Sequence, residues 1–335
     1  MRHGTPRMLL SIIVVNYRSW DCLERCLQSF PVPGPEANRE IIVVDNDSGD
    51  GRFDAFSQRF PQVRFVRNAG NFGYAHACNL GAQHARGELL LFANPDLTAK
   101  PGQLELLIEE HKAYPDVRIL SAVQLGKSGR PQKSFDVFPT LWTAVPGVRP
   151  LQRLFRPRRH PHPRRSHNRL LEPDWVAGSL MLITAEDLRE LGGWCDDFWM
   201  YREDVDLCLR ARQRGWRVAL TPRATFVHHH GGTTRTNFET ESITRLETLI
   251  SRHVFISRHY SGIRALLFHS VIALNKLLTQ GAAGLVNLLT LGTIPALRVR
   301  GRVWLGLVAY YGRRLAGGDW LSPRAVRGAS LSAEV

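Results

Sequence analysis

The feature that most constrains this chain is an alternation that runs through residues 9–96. Short apolar, β-branched runs take turns with stretches of helical spacing. "LLSIIVV" (9–15), "EIIVVDN" (40–46), "VRFVRN" (63–68) and "ELLLFANPD" (88–96) read as strands, with "DCLERCLQSF" (21–30) and "YAHACNLGAQHA" (74–85) as helices among them. A strand that shows no polar alternation is buried on both faces, and the intervening helices are what covers it. The pattern therefore predicts an α/β fold, a mostly parallel sheet flanked by helices. Polar punctuation follows the strands, as "NYRS", "DNDSGDG" and "NPD". Ligands of open parallel sheets sit beyond the carboxyl ends of the strands, so these three stretches are expected to share one crevice.

Regularity continues with a helix, "LELLIEEHKAY" (104–114), and a strand, "VRILSAVQL" (117–125), then fades in a Pro- and Arg-rich stretch to about residue 170. "WVAGSLMLIT" (175–184) reads as one strand-like run, and "AEDLRELGGW" as a helix closed by glycine. Beyond about residue 240 the pattern is helical, basic and apolar. The expected division is a domain over 1–240, with a mobile basic loop at about 150–170, and a helical C-terminal region over 241–335.

Charge narrows the partners. The chain of 335 residues carries a formal net charge of +14. "RPRRHPHPRRSHNR" (156–169) holds six arginines and no acid, and the tail from Arg298 holds seven arginines against Asp319 and Glu334. Such charge suits nucleic acid, an anionic membrane surface or phosphorylated substrates. No helix-turn-helix, RRM or KH signature is present, and the arginine run is interleaved with proline and histidine rather than stacking aromatics, so nucleic acid is not the expected partner. The five scattered cysteines lack any C-x-x-C pair, which fits a reducing compartment and argues against a zinc knuckle. "MLLSIIVV" continues into "NYRSW" with no small-residue cleavage site, so no secretory leader is read. Residues 277–297 form an uncharged run of bilayer-spanning length, but Gln280, Asn287, three glycines and Pro295 make an interfacial or core helix the preferred reading. The oligomeric state is open, a homo-oligomer included.

Several stretches could carry chemistry. Asp45 ends the second strand beside a Ser/Gly turn, where a carboxylate can accept from a ribose hydroxyl or a base N–H, or simply close the turn. Asp96 follows a buried strand, its aim set by Pro95, and could hold Mg²⁺ or Mn²⁺ or cap the next helix. Strand alternation sends His228 and His230 to one face and His229 to the other, so one ion can take only one of them. "WMYREDVDLCLRARQRGW" (199–216) packs Glu203, Asp204 and Asp206 together in a basic chain. These acids either complement a helix N-terminus or include a group that handles a proton. Asp206 stands four residues before Arg210, a structural helix pair. A P-loop, a dinucleotide-binding G-x-G-x-x-G and a G-x-S-x-G elbow are all missing.

Taken together, "SIIVVNYRS", "VVDNDSGDG", "NFGYAHACNLGA", "LLLFANPD", "WVAGSLMLI", "GGWCDDFWMYREDVDLCLRARQRGWRV" and "VHHHGGTT" resemble the family 2 inverting glycosyltransferases, most of all the branch with bacterial rhamnosyltransferases. The matches fall in the family's order and cover roughly residues 9–235. The resemblance implies a GT-A type, Rossmann-like fold with a C-terminal helical extension. It implies an inverting hexosyltransferase that uses Mg²⁺ or Mn²⁺. The donor would be a nucleotide-sugar, dTDP-rhamnose first, with a UDP-sugar (galactofuranosyl, glucosyl or similar) as the alternative. The acceptor would be a lipid-linked glycan or a polysaccharide of the cell envelope, met at the inner face of the membrane from the cytoplasm. Carried over by residue, it places Tyr17 and Asp45 in the nucleotide pocket and has Asn71, Gly73, Asn79 and Asn94 line the donor site. It makes Asp96 the metal ligand with help from His228, and Asp204 the general base with Glu203 as its rival.

Overall fold

The computed structural model describes residues 9–30, 38–141, 169–229 and 237–326. The basic run at 156–168, His230 and the Gly-Gly-Thr-Thr segment after it lie outside the described residues.

Seven elements open the chain: β1 (Leu10–Asn16), α1 (Trp20–Ser29), β2 (Arg39–Asp45), α2 (Arg52–Arg59), β3 (Arg64–Arg67), α3 (Tyr74–Gln83) and β4 (Leu89–Ala93). Next come β5 (Leu97–Ala99), α4 (Gln103–Ala113), β6 (Val117–Leu125), β9 (Leu180–Thr184), α5 (Ala185–Glu190), α6 (Glu203–Gln213) and β10 (Arg217–His228). A small pair, β7 (Phe135–Asp136) and β8 (Trp175–Val176), stands apart. The main sheet has eight strands in the order β3-β2-β1-β4-β9-β6-β10-β5.

Every residue of β1 is buried, and its alternation divides two cores. Leu10, Ile12 and Val14 pack with Leu23 of α1, Phe56 of α2 and Leu107 of α4. Ile13 and Val15 pack on the other face with Cys78 of α3, Leu188 of α5 and Leu207 of α6. Continuous apolar strands thus read correctly as a sheet covered on both sides. The chain runs from β1 outward through β2 to β3, then returns to place β4 on the other flank of β1, all in parallel. The carboxyl ends of β1 and β4 therefore border the crevice where the strand order reverses.

Two elements depart from the sequence reading. "WVAGSLMLIT" is not one strand: it breaks at Ala177–Ser179, and β9 runs antiparallel between β4 and β6. A glycine inside a strand pattern marks such a break. The uncharged run 277–297 is not one helix either. It is shared between α8 (Gly262–Leu289) and α9 (Pro295–Leu315), which are joined by a turn with Leu291 and Gly292 at φ 51° and 70°. Proline at the first helical position restarts the chain as α9.

The C-terminal helices are not a detached unit. α7 (Phe238–His259) sets Ile250, Val254 and Phe255 against Phe198, Val205 of α6 and Tyr310 of α9. Leu249 of α7 meets Val299, Val303 and Leu307 of α9.

Candidate active site

The first wall of the crevice is built at the ends of β1 and β2. Their register sets Asn16 opposite Asp45. Asn16 Nδ2 donates to Asp45 Oδ1 at 3.1 Å, Ser48 Oγ donates to the same oxygen, and Ser48 N donates to Oδ2 at 3.3 Å. The turn is fastened in return: Arg18 N donates to Ser48 Oγ at 2.8 Å, and Asp47 adopts φ 64°. Asp45 is buried and serves its own turn, while its position at the strand end keeps it beside the crevice. Tyr17, half-buried, lies next to it under the Arg18 guanidinium.

An asparagine ladder backs this wall. Asn68 Nδ2 donates to Asn46 Oδ1 at 2.9 Å, and Asn46 Nδ2 donates to Asn71 Oδ1 at 3.0 Å. Gly73 follows at φ 97°, and an ideal Cβ there would stand 2.2 Å from Trp199 O, so only glycine fits. Tyr74 N donates to that same Trp199 oxygen, and Trp199 Nε1 donates to Asn71 O. The "NFGY" stretch is thereby clamped to the loop that precedes α6. Both ends of the Asn79 amide are engaged by the chain around Trp194: Nδ2 donates to Trp194 O at 2.8 Å and Asp196 Oδ1 at 3.0 Å, and Oδ1 accepts from Trp194 N at 2.8 Å. It is a buried latch holding the 194–196 segment.

The second wall rests on a pairing that periodicity cannot show. β5 runs antiparallel to β10 with Leu97 opposite His228, which brings Asp96 beside His228. His228 Nε2 stands 3.0 Å from Asp96 Oδ1, and both side chains are buried. On the other edge of the ring, His228 Nδ1 lies 2.7 Å from Gln124 Oε1, which also accepts from Ser179 Oγ at 3.0 Å. A carbonyl oxygen can only accept, so Nδ1 carries the proton and Nε2 turns its other face to the carboxylate. A cation held between the two atoms would satisfy that juxtaposition. Two neighbouring ligands about 2.1 Å from an octahedral ion stand roughly 3.0 Å apart. The Asp96–His228 pair therefore fits a Mg²⁺ or Mn²⁺ ion. No cluster of three or more His, Cys, Asp and Glu side chains that could hold an ion exists among the described residues, which leaves the remaining positions to water and substrate phosphates. His229 points the other way, to Thr98, as alternation requires. Asn94 is half-buried, and its backbone N–H donates to Ser179 O at 2.9 Å.

The third wall is the N-terminus of α6. Tyr201 and Arg202 both adopt φ 69°, a left-handed pair that costs about 1–2 kcal/mol per residue and is held in place by its surroundings. It sets up Asp204, whose Oδ2 accepts from Gly178 N at 3.0 Å and Oδ1 from Val205 N at 2.8 Å. Gly178 O in turn accepts from Tyr74 OH at 2.9 Å. Burial pushes the Asp204 carboxyl up; hydrogen bonds from Gly178 and Val205 oppose it without prevailing. Desolvation thus outweighs these hydrogen bonds and the Arg202 charge. Glu203 is pushed further, by burial first and then by the Asp204 and Asp206 charges, and its Oε2 is buried with no hydrogen-bond partner. Asp206 is structural. Burial raises it, but His259, Arg210 and Arg258 outweigh that and hold it low. Arg210 Nε binds it at 2.8 Å, the i,i+4 pair expected from sequence.

One short turn joins these walls. Gly178 holds Asp204, and its neighbour Ser179 holds Gln124 and, through it, the His228–Asp96 pair. Carboxylates 108 positions apart in sequence, Asp96 and Asp204, are thereby linked through two consecutive residues. Gln124, Gly178, Ser179 and Tyr74 were missed by sequence reasoning. The signals available were a polar residue ending a buried run and a glycine inside an apparent strand.

This architecture has recognisable relatives. Residues 11–206 match the family described as Glycosyl transferase family 2. The chain belongs to glycosyltransferase family 2. Among its relatives, the N-acetylglucosaminyl-diphospho-decaprenol L-rhamnosyltransferase of Mycobacterium tuberculosis is 27% identical over 270 residues, 76% of this chain and 86% of that protein. Rhamnosyltransferase WbbL of Escherichia coli is 25% identical over 233 residues, 66% of this chain and 84% of WbbL. The mannosyltransferase PcManGT of Pyrobaculum calidifontis, solved with GDP-Man and Mn²⁺, superposes with a TM-score of 0.52 at 18% identity, over 95% of this chain and 89% of that one. GalNAc-T7, solved with UDP, GalNAc and Mn²⁺, gives 0.51 at 16% identity over 80% of this chain; the match spans only 55% of GalNAc-T7. These structures share the GT-A fold with the family 2 chain described here.

Proposed function

We propose that the chain moves rhamnose from dTDP-rhamnose to a polyprenyl-diphosphate-linked or polysaccharide acceptor of the cell envelope, with inversion at the anomeric carbon. The observation that carries this reading is the turn at Gly178–Ser179: Gly178 N donates to Asp204, and Ser179 Oγ donates to the Gln124 oxygen that lies against His228. Asp204 is the base. Its raised carboxyl accepts the proton of the acceptor hydroxyl as that oxygen bonds to the sugar C1 and the bond from C1 to the diphosphate oxygen breaks. Glu203 beside it, its Oε2 buried with no hydrogen-bond partner, is pushed by burial toward the neutral form, which keeps the charge of the pair low. Asp96 and His228 would hold Mg²⁺ or Mn²⁺. When bound, the ion supplies positive charge to the departing nucleoside diphosphate. Asp45 and Tyr17 face the nucleoside end, with Asn71, Gly73 and Asn94 shaping the pocket.

Support for rhamnose and for a lipid-linked acceptor comes from the M. tuberculosis relative, an N-acetylglucosaminyl-diphospho-decaprenol L-rhamnosyltransferase. Such an acceptor places the work at the inner face of the cell membrane. The test is nucleoside diphosphate release from dTDP-rhamnose, UDP-galactofuranose and UDP-glucose, with Mg²⁺ or Mn²⁺ and an N-acetylglucosaminyl-diphospho-polyprenol acceptor. Acceptor-dependent release from dTDP-rhamnose, with product of the opposite anomeric configuration, is the expected result. Release from a UDP-sugar alone reassigns the donor; a retained configuration removes Asp204 from its role.

A further inference from the structure

α8 is 28 residues long and outermost, and only Phe268, His269, Ile272 and Ala283 of it are buried. Its exposed side has an order of its own. Ile263, Leu274 and Leu285 recur at intervals of eleven, and Leu267, Leu278 and Leu289 repeat the same interval four residues on. Eleven residues close three turns at about 3.67 per turn, so each row stays straight along a helix instead of winding round it. Rows four residues apart lie one turn from each other and merge into one stripe. The result is a rail of exposed apolar side chains about 40 Å long at ~1.5 Å per residue.

The partner helix extends this surface. α9 meets α8 through glycine: a Cβ built on Gly284 would stand 3.5 Å from Gly301 Cα, and one on Gly281 2.8 Å from Trp304 Nε1. Small residues form the seam, while Leu305, Val308 and Leu315 of α9 stay exposed and Leu291 at the turn is 90% exposed. Packing through small residues with leucine outside suits an environment as apolar as leucine. Charge completes the pattern. From Thr248 to Gly318 there is no Asp or Glu against nine Lys and Arg, among them Arg264, Lys276, Arg298 and Arg302. A second copy laid on the rail would bring two cationic faces together with no acid in the segment to offset them. An anionic bilayer supplies both the apolar layer and the opposite charge. α8 is long and apolar enough to cross a membrane. However, its inner side is taken by Phe268 and Ile272 packing on Ile256 of α7, so only one side is offered.

We propose that α8 and α9 lie along the surface of an anionic bilayer, with the rail sunk to the acyl chains and the basic side chains at the headgroups. The experiment is co-sedimentation of the full chain with vesicles of phosphatidylcholine alone or mixed with phosphatidylglycerol, comparing wild type with Leu267→Glu/Leu278→Glu. Both leucines are exposed, so circular dichroism and Tm should not change. Wild type is expected to sediment with the anionic vesicles, and the double variant to lose at least about tenfold in partitioning. Equal binding of the two proteins overturns the proposal. So does a wild type that is dimeric without lipid, ignores vesicles and becomes monomeric with the two substitutions; the rail is then a contact between copies. No sugar nucleotide enters the assay, so its failure and the failure of the transfer reading are separate results.

Discussion

The sheet domain and the α8–α9 hairpin use the same apolar residue types in opposite ways. In the sheet, Ile12, Leu91 and Leu182 vanish into the core on one face and Ile13, Phe92 and Ile183 into the core on the other. In the hairpin the backbones meet at Gly284 and Gly301, and although Leu307 is buried against α7, Leu267, Leu274, Leu278, Leu285 and Leu305 face outward. The difference teaches that apolar content alone does not say where a core is; what matters is which side of an element the pattern leaves uncovered. α7 stands between the two regions and belongs to the first, since its Ile250, Val254 and Phe255 share a core with α6.

That assignment is open to attack at several strengths. The largest expected effect is on catalysis in the sheet domain. Asp204→Asn should lower kcat by about 10²–10⁴ with donor affinity unchanged, since it removes the proton acceptor and keeps the shape. Because the base must be ionised and burial raises its carboxyl, the wild-type rate should fall as pH drops through a value above the ordinary carboxylate range, and the residual rate of Asp204→Asn should lack that limb. A truncation before Leu249 tests the border. The sequence division at 240/241 implies that a cut near residue 245 affects the catalytic part less than the membrane contact. The structure predicts instead a loss of several kcal/mol, at about 1.5–3 kcal/mol for each buried large apolar side chain removed, read as insoluble protein or a collapsed Tm. A cut after Ser261 spares α7 but takes Tyr310, Val303, Leu307 and Phe268 from the cores it shares, so it should lower Tm as well as remove vesicle binding. Gln124→Leu should weaken Mn²⁺ binding by about 10–100-fold in titration calorimetry, with Gln124→Glu restoring it, because the carbonyl that orients His228 is lost and regained.

The smallest effect concerns Glu203. Its folded carboxyl is raised, so folding favours the protonated form. That contribution is present below the ordinary carboxylate value and is lost as pH rises through the raised one. Glu203→Gln keeps the neutral shape and should raise Tm at neutral pH, with little change in acid.

Local pattern made part of this legible. The first four strands, helices α1 and α3 and the Asp206–Arg210 pair follow from periodicity and i,i+4 spacing, which depend on neighbours in sequence, whereas α2 is not read from them. The meeting of Asp96 with His228 depends on the β5–β10 register, and Asp204 depends on the turn at Gly178; both are long-range pairings that leave no periodic trace. Resemblance, not spacing, named those residues, and it named Asn79 as well, whose amide engages Trp194. The helix break at 290–294 was readable in "TLGTIP", where glycine and proline sit within four residues, but absence of charge masked it.

The central claim is that Asp204 opens into the same cavity as the Asp96–His228 pair. A crystal structure with Mn²⁺ and dTDP-rhamnose, the ion located by anomalous scattering, tests it most directly. The account predicts the ion within ~2.0–2.2 Å of Asp96 Oδ1 and His228 Nε2, and the Asp204 carboxylate facing the sugar C1 from the acceptor side. An ion bound elsewhere, or a donor whose C1 lies out of reach of Asp204, contradicts it.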